Sequence, residues 1–325
     1  MKTKALFSLL SLGLCITSSA SAGIPVDPTL PDYRTEQALS GTLSSVGSDS
    51  LEKIMQQWQA SFRQHHSGVT LTMQAKGSST APKALIKGEA NIGPMSRKMK
   101  KKERNAFKAK FGYKPTKIPV AMDTLAIYVN KDNPIAGLRF ADLDSIYSDK
   151  HKCGKHKAAT TWGDLGLTGA WENQTVKPYG RSKKSGTHGY IKKRVLCNGS
   201  YKNSVTQEES FEAIIKKISS TPGGIGYAGM AYKTDQVRIL SLAKSRGQEF
   251  AQPTPANTLN RHYPLARFLY VYINKDPKKP LAPLELEFVK MMLSKQGQEI
   301  VSNNGYIPLS AKVVKKTLKK LNKVK

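Results

Sequence analysis

Three times along the chain an apolar stretch runs into a polar Gly/Ser turn and then into a helical pattern. Val46 ends one such stretch before Gly47-Ser48-Asp49-Ser50, residues 69–73 alternate as a strand before Gly77-Ser78-Ser79-Thr80, and residues 176–180 read as a strand before Ser185-Gly186-Thr187. Strand, turn and helix in repetition is the rhythm of an α/β sheet. Each turn ends on a helix N-terminus, where unpaired N–H groups and about half a positive charge gather. Gly lets an anion approach the backbone, and Ser/Thr hydroxyls add donors. Three such ends meeting at one point would wrap a tetrahedral oxyanion in neutral donors. Singly, each is also an ordinary capped helix start, and Asp49 with Glu52 makes a capping box. Arg181 lies four residues before Ser185, and a guanidinium fork grips oxyanions bidentately. Position alone, in so basic a chain, favours a solvated arginine.

The rest of the pattern supports the same class. Leu51, Ile54, Met55, Trp58 and Phe62 form the stripe of an amphipathic helix. A short helix after Thr80 stops at Gly88, Asn91-Ile92-Gly93 is a brief strand, and Met99 to Lys110 is a charged helix. Residues 117–130 are apolar and β-like, 211–218 helical, Gly223 to Tyr227 enters a strand, and 268–273 is another. Residues 284–293 and 295–303 are helical. Ser310 is expected to cap a last helix with Val314, Leu318 and Leu321 inward and Lys312, Lys315, Lys316, Lys319, Lys320 and Lys323 outward. Residues 23–40 read as a loose, irregular arm, and 244–261 as a surface loop.

Lys2 and Lys4, the short apolar run Leu6 to Ile16 and Ala20-Ser21-Ala22 have the order of an export signal cleaved near Ala22. A lipid anchor at Cys15 is the rival, weakened by Leu14 where a small residue is needed. Residues 1–22 thus read as a signal peptide and the protein is expected to be exported. Among 325 residues, 52 Lys+Arg against 23 Asp+Glu give +29, and loss of Lys2 and Lys4 leaves +27. That charge favours an anionic partner without saying which. Cys153 and Cys197 are the pair left in an oxidising compartment, so a disulfide is the default. The rival is a metal held by His151, Cys153 and His156, which the surrounding lysines would repel; no cofactor is expected.

At this point the residues match a family. The chain resembles the PstS-like periplasmic solute-binding proteins, the phosphate-binding proteins of bacterial phosphate ABC transporters, from about residue 41 to about 310. The resemblance rests on the order of Gly47-Ser48-Asp49-Ser50, Lys76-Gly77-Ser78-Ser79-Thr80, Ile92-Gly93-Pro94-Met95-Ser96-Arg97 and Val129-Asn130-Lys131-Asp132-Asn133-Pro134. Thr161-Trp162-Gly163-Asp164-Leu165, Arg181 to Thr187, Gly223 to Tyr227, Tyr263-Pro264-Leu265-Ala266-Arg267 and Gly297 to Val301 continue it. It implies a type II periplasmic-binding-protein fold, two α/β domains closing on a ligand. Domain I would be 41–120 and 273–325, domain II 130–264, and 121–129 and 265–272 the hinge crossovers. It implies phosphate or a similar oxyanion as ligand, permease subunits as partners, the periplasm as location, and a monomer. Carried over, Asp49 and Ser50 fall on the first binding turn, Ser78, Ser79 and Thr80 on the second, and Arg181, Ser185, Gly186 and Thr187 on the third. Ser96 stands where many members carry an Asp that accepts the proton of hydrogen phosphate, so Asp49 is expected to take that role.

Two other functions compete. A phosphatase-like enzyme needs an activated nucleophile or paired metals, and no Asp/His metal spacing recurs around the six histidines; His188 beside Thr187 reads as a polar residue in a first helical turn. No catalytic residue is assigned. A basic exported surface protein binding extracellular nucleic acid or acidic polymers fits the charge and the lysines of 312–323. Against it, no base-reading motif is present and no aromatics interleave with the lysines.

Overall fold

The computed structural model describes residues 24–324 apart from Glu36, Lys155 and His156; the signal-peptide reading and His156 lie outside the described residues. The first third alternates β1 (Ser40–Val46), α1 (Glu52–His65), β2 (Gly68–Gln74), α2 (Ala81–Lys87), β3 (Ile92–Met95) and α3 (Lys101–Phe111). The long β4 (Thr116–Asn130) leads to β5 (Gly137–Arg139), α4 (Phe140–Tyr147), β6 (Lys177–Arg181), α5 (Gly186–Arg194), β7 (Thr206–Glu208), α6 (Phe211–Ser219) and β8 (Gly224–Gly229). Short β9 (Val237–Ile239), β10 (Ser241–Ala243) and α7 (Pro255–Leu259) precede β11 (Ala266–Ile273), α8 (Pro283–Leu293), α9 (Lys295–Asn303) and α10 (Ala311–Leu321). The stripe read from the sequence is the buried face of α1, where Ile54, Met55, Trp58 and Phe62 are inward. Gly88 ends α2 in the left-handed region, at φ 75°.

The strands pair in the order β2-β1-β3-β11-β4-β8-β6-β7, with β9 also on β4. β4 is long enough to serve two sheets: Thr116 to Thr124 pair with β11, and Leu125 to Val129 pair with β8. The buried apolar side chains part at the same place. One core runs from Leu125 to Leu265 around Tyr128, Trp162 and Tyr227. The other joins Leu30 to Ala121 with Leu269 to Leu321, around Trp58, Phe62 and Phe288. Residues 265–272, expected as a crossover, are mostly β11, which pairs along its whole length with β4. Leu269, Val271 and Ile273 bury into the core around Trp58, Phe62 and Phe288.

The described residues of 24–39 form no helix or strand, as read, and Ser40 already opens β1, but the segment is not loose. Leu30 and Tyr33 are buried in the core around Trp58, Phe62 and Phe288. The Lys295 N–H donates to the Pro31 carbonyl at 2.8 Å, and the Tyr33 N–H to Gln296 Oε1 at 2.8 Å. His66, fully buried, accepts the Leu39 N–H on Nδ1 at 3.0 Å, which leaves its proton on Nε2, 2.6 Å from the Tyr33 hydroxyl. Ser310 makes no side-chain cap on α10. Asp27 of the arm does, accepting the Ala311 N–H at 2.8 Å, and these hydrogen bonds, led by that from Thr29, hold its carboxyl below the usual range. Cys153 and Cys197 form the disulfide, 44 residues apart with Cα atoms 5.6 Å apart.

Candidate anion-binding cleft

The three turns meet. The first follows β1, where the Ser48 N–H donates to the Pro94 carbonyl at 2.8 Å and the Gly47 N–H to Gln74 at 3.0 Å. A Cβ on Gly47 would lie 2.2 Å from the Pro94 oxygen, so only glycine fits there. Asp49 is not the cap of α1. A single 3-10 turn, Asp49–Leu51, precedes that helix, and the Asp49 carboxylate reaches across to Arg181. A guanidinium offers a full charge, where a helix start offers a partial one, and the capping box gives way to it.

In the second turn, Ser78 is fully buried; its hydroxyl accepts the Ser96 N–H at 2.9 Å and lies 3.1 Å from Ser96 Oγ. Ser79 and Thr80 turn their hydroxyls to backbone carbonyls instead, Ser79 to Lys184 at 2.9 Å and Thr80 to Gly77 at 2.8 Å. The third turn closes against both. Ser185 Oγ accepts the Thr187 N–H at 3.1 Å and caps α5. A Cβ on Gly186 would stand 2.3 Å from both Ser78 Oγ and Ser96 Oγ. The α5 N-terminus, from one core, is thus in direct contact with the paired serines of the other.

Arg181 is no solvated arginine: it is 2% exposed. Its Nε donates to the Glu208 carbonyl at 3.2 Å, Nη2 bonds Glu209 O and Asp49 Oδ2, and its guanidinium lies 4.8 Å over the Phe211 ring. A cavity of about 330 Å³ opens here, lined by Asp49, Gly77, Thr80, Arg181, Ser185 and Glu209 among others. His188 does not face it freely. Its Nδ1 is 2.9 Å from the Arg181 carbonyl and its ring stacks on Tyr201 at 4.2 Å, and burial pushes its pKa down.

Sequence reading missed a second guanidinium–carboxylate pair. Arg267 and Asp123 face each other across β11 and β4. Arg267 Nε and Nη2 donate to Asp123 Oδ2 at 2.9 and 2.7 Å, and Nη2 also reaches Thr187 Oγ1 at 2.9 Å. Both residues are buried, at 6% and 1% exposure. The signal was a charge within the apolar part of each of two strands, Asp123 in β4 and Arg267 in β11, which only a partner makes tolerable when buried. Close by, Tyr306 donates to the Ser50 carbonyl at 2.7 Å, its own pKa raised by burial and then by the charges of Asp123 and Asp49. Among the described residues, Ser48 Oγ, Asp49 Oδ1, Ser50 Oγ and Arg267 Nη1 are buried with no hydrogen-bond partner. No group of three or more described His, Cys, Asp or Glu side chains is placed to hold a metal, and the Cys153 sulfur is bonded to Cys197.

The comparisons agree with this architecture. Residues 33–296 match the family model described as a PBP superfamily domain. The phosphate-binding protein PstS of Pseudomonas aeruginosa is 48% identical over 321 residues, 99% of each chain. Protein SphX of Synechococcus elongatus is 26% identical over 92% of this chain and 85% of that protein. Among solved structures, an ABC-type phosphate transport receptor from Vibrio cholerae superposes with a TM-score of 0.66 at 22% identity, covering 82% of this chain and 100% of that one. PstS from Borrelia burgdorferi gives 0.55 at 21% identity, covering 83% and 99%. The type II periplasmic-binding-protein fold, the matched domain and the full-length likeness place this chain in the PBP superfamily, as a member of its PstS family.

Proposed function

We propose that this protein captures inorganic phosphate between its two cores and delivers it to the permease subunits of an ABC transporter. The observation that carries the reading is the set of buried polar atoms left without partners at the converging turns: Ser48 Oγ, Asp49 Oδ1, Ser50 Oγ and Arg267 Nη1. Each unpaired group costs ~1–3 kcal/mol, and one tetrahedral oxyanion between the turns would satisfy donors of this kind together. Of these atoms the hydroxyls and Arg267 Nη1 donate to the anion, whereas Asp49 Oδ1 can only accept, from a proton the anion carries; Ser50, Ser78, Ser96, Ser185, Gly186 and Thr187 supply or orient neutral donors, and the α5 N-terminus adds its dipole. Ser79 and Thr80 shape the mouth. Arg181 and Arg267 supply the charge, and Asp49 accepts the proton of hydrogen phosphate. The two cores act as lobes, hinged on β4 near Thr124 and on the residues just before Ala266.

The 48% identity to a protein named for phosphate binding supports the ligand. Among the described residues no helix is long and apolar enough to cross a membrane. The N-terminal segment directs export and is cleaved near Ala22, and the mature chain works in the periplasm; N-terminal sequencing of exported protein starting at Gly23 tests the cleavage. A thermal-shift panel of phosphate, arsenate, sulfate and molybdate on ligand-stripped protein tests the ligand. A ligand at a hundred times its Kd stabilises by about 2.7 kcal/mol. Phosphate is expected to give the largest shift; a larger shift from sulfate or molybdate overturns the assignment.

A further inference from the structure

The cleft makes no use of the lysine-rich α10. Val314, Thr317 and Leu321 are buried on that helix, while Lys312, Lys316 and Lys320 are exposed in one row, about 6 Å apart from a rise of about 1.5 Å per residue. These three line a groove of about 500 Å³ together with Lys98 and Lys117, and no carboxylate lines it. It shares no lining residue with the cavity at Asp49 and Arg181. Lys117 Nζ stands 5.2 Å over the Tyr270 ring. Burial first, then the charges of Lys98, Lys320 and Arg104, lower its pKa. Like charges are therefore crowded together with no internal counter-charge.

The groove meets, at Phe268 and Val313, a second hollow of about 790 Å³ that includes Arg194 and Arg261. Its one carboxylate, Asp27, is tied to the Ala311 N–H. A cationic path over two adjoining hollows suits an extended polyanion better than a single ion. Its concavity suits a strand better than a flat bilayer. Ile118, Tyr270 and Leu321 in the floor are at most 5% exposed, so an acidic protein would find apolar surface chiefly at Phe268 and Val313, half-buried where the two hollows meet. The same burial leaves Tyr270 no open face on which a base can stack, so recognition rests on backbone phosphates.

We propose that this groove binds the phosphodiester backbone of single-stranded nucleic acid without selecting bases. Such binding is salt-sensitive, with log K falling by ~0.7 per phosphate contact for each unit of log salt. The test is fluorescence anisotropy of a labelled mixed-sequence 20-mer over a salt series with the mature protein. Wild type is expected to bind at low salt. Lys312→Gln/Lys316→Gln/Lys320→Gln is expected to bind at least tenfold more weakly, with a salt slope smaller by about 2, while phosphate binding in the cleft is unchanged. A control, Lys216→Gln/Lys217→Gln/Lys233→Gln, removes the same charge from the other lobe and is expected to change affinity less than threefold. Should the triple variant fail the phosphate check, Lys316→Gln alone must still weaken binding. Equal losses in both triple variants, no oligonucleotide binding by wild type, or lysine-dependent binding of phosphatidylglycerol vesicles without oligonucleotide binding would each overturn the proposal.

Discussion

Gly186→Ala is the substitution to which the cleft should be most sensitive. The added Cβ would lie 2.3 Å from Ser78 Oγ and Ser96 Oγ and 2.9 Å from Ser78 Cβ. The serine hydroxyls have little room to retreat, because Ser78 Oγ is held by the Ser96 N–H at 2.9 Å. Gly186 is the first residue of α5, where alanine suits the helix itself. The penalty therefore falls on the approach of α5 to the opposite serines and not on the folding of either core. Overpacking of this kind costs ~1–3 kcal/mol, which corresponds to a ~5- to 150-fold weaker Kd for phosphate. Gly189→Ala is the control on the same helix, since its Cβ would meet nothing nearer than Arg97 Cδ at 3.6 Å. Calorimetric titration of both variants, with melting curves of the ligand-free forms, gives the comparison. Weak binding by Gly186→Ala, wild-type binding by Gly189→Ala and similar melting temperatures are expected. Wild-type affinity in Gly186→Ala would refute the reading that the contact of the α5 start with Ser78 and Ser96 shapes the phosphate site.

Asp49 Oδ1 has no partner whereas Asp123 Oδ2 holds two bonds from Arg267; Asp49→Asn should therefore narrow the phosphate-over-sulfate preference by about 1 kcal/mol or more, roughly fivefold, while Asp123→Asn weakens both anions alike. Parallel competition titrations check this, and unchanged selectivity in Asp49→Asn would end its role as acceptor. Closing the chain between Cys153 and Cys197, 44 residues apart, constrains the unfolded state by up to about 4 kcal/mol. Cys153→Ser/Cys197→Ser should lower the denaturation midpoint, and no change would remove the disulfide from the stability argument. Burial lowers the pKa of His66, so the unfolded chain binds the extra proton more readily. Stability should fall as pH drops through the usual histidine value of about 6.5 and level off below the depressed one. His66→Gln should flatten that part of the urea-midpoint curve, and an unaltered curve would contradict it.

The elements with a strong period were legible in the sequence, and the long-range pairings were not. The α1 stripe, the apolar β4 and the cysteine pair each carry their signal within a short window. The meeting of Gly186 with Ser78 and Ser96 depends on how two lobes face each other, which no local pattern encodes. Asp49 illustrates the limit. Its spacing to Glu52 fits a capping box, yet a guanidinium 132 positions away takes its carboxylate. Arg267 and Asp123 were visible only as charges set within apolar strands; their pairing follows from the antiparallel register of β11 on β4. The arm of residues 24–40 lacks periodicity because it is held by individual contacts, among them Tyr33 to His66 and Asp27 to the start of α10, and not by one buried face.

In this account one phosphate binds between the lobes, and Arg181 shares its charge recognition with Arg267. Isothermal titration of ligand-stripped mature protein with phosphate, alongside Arg181→Ala, tests it most directly. A charge-assisted hydrogen bond contributes ~1.5–3 kcal/mol, so wild type should bind one phosphate per chain and the variant should bind at least tenfold more weakly with its fold intact by circular dichroism. Wild-type affinity in Arg181→Ala, or no phosphate heat with the wild-type protein, would contradict it.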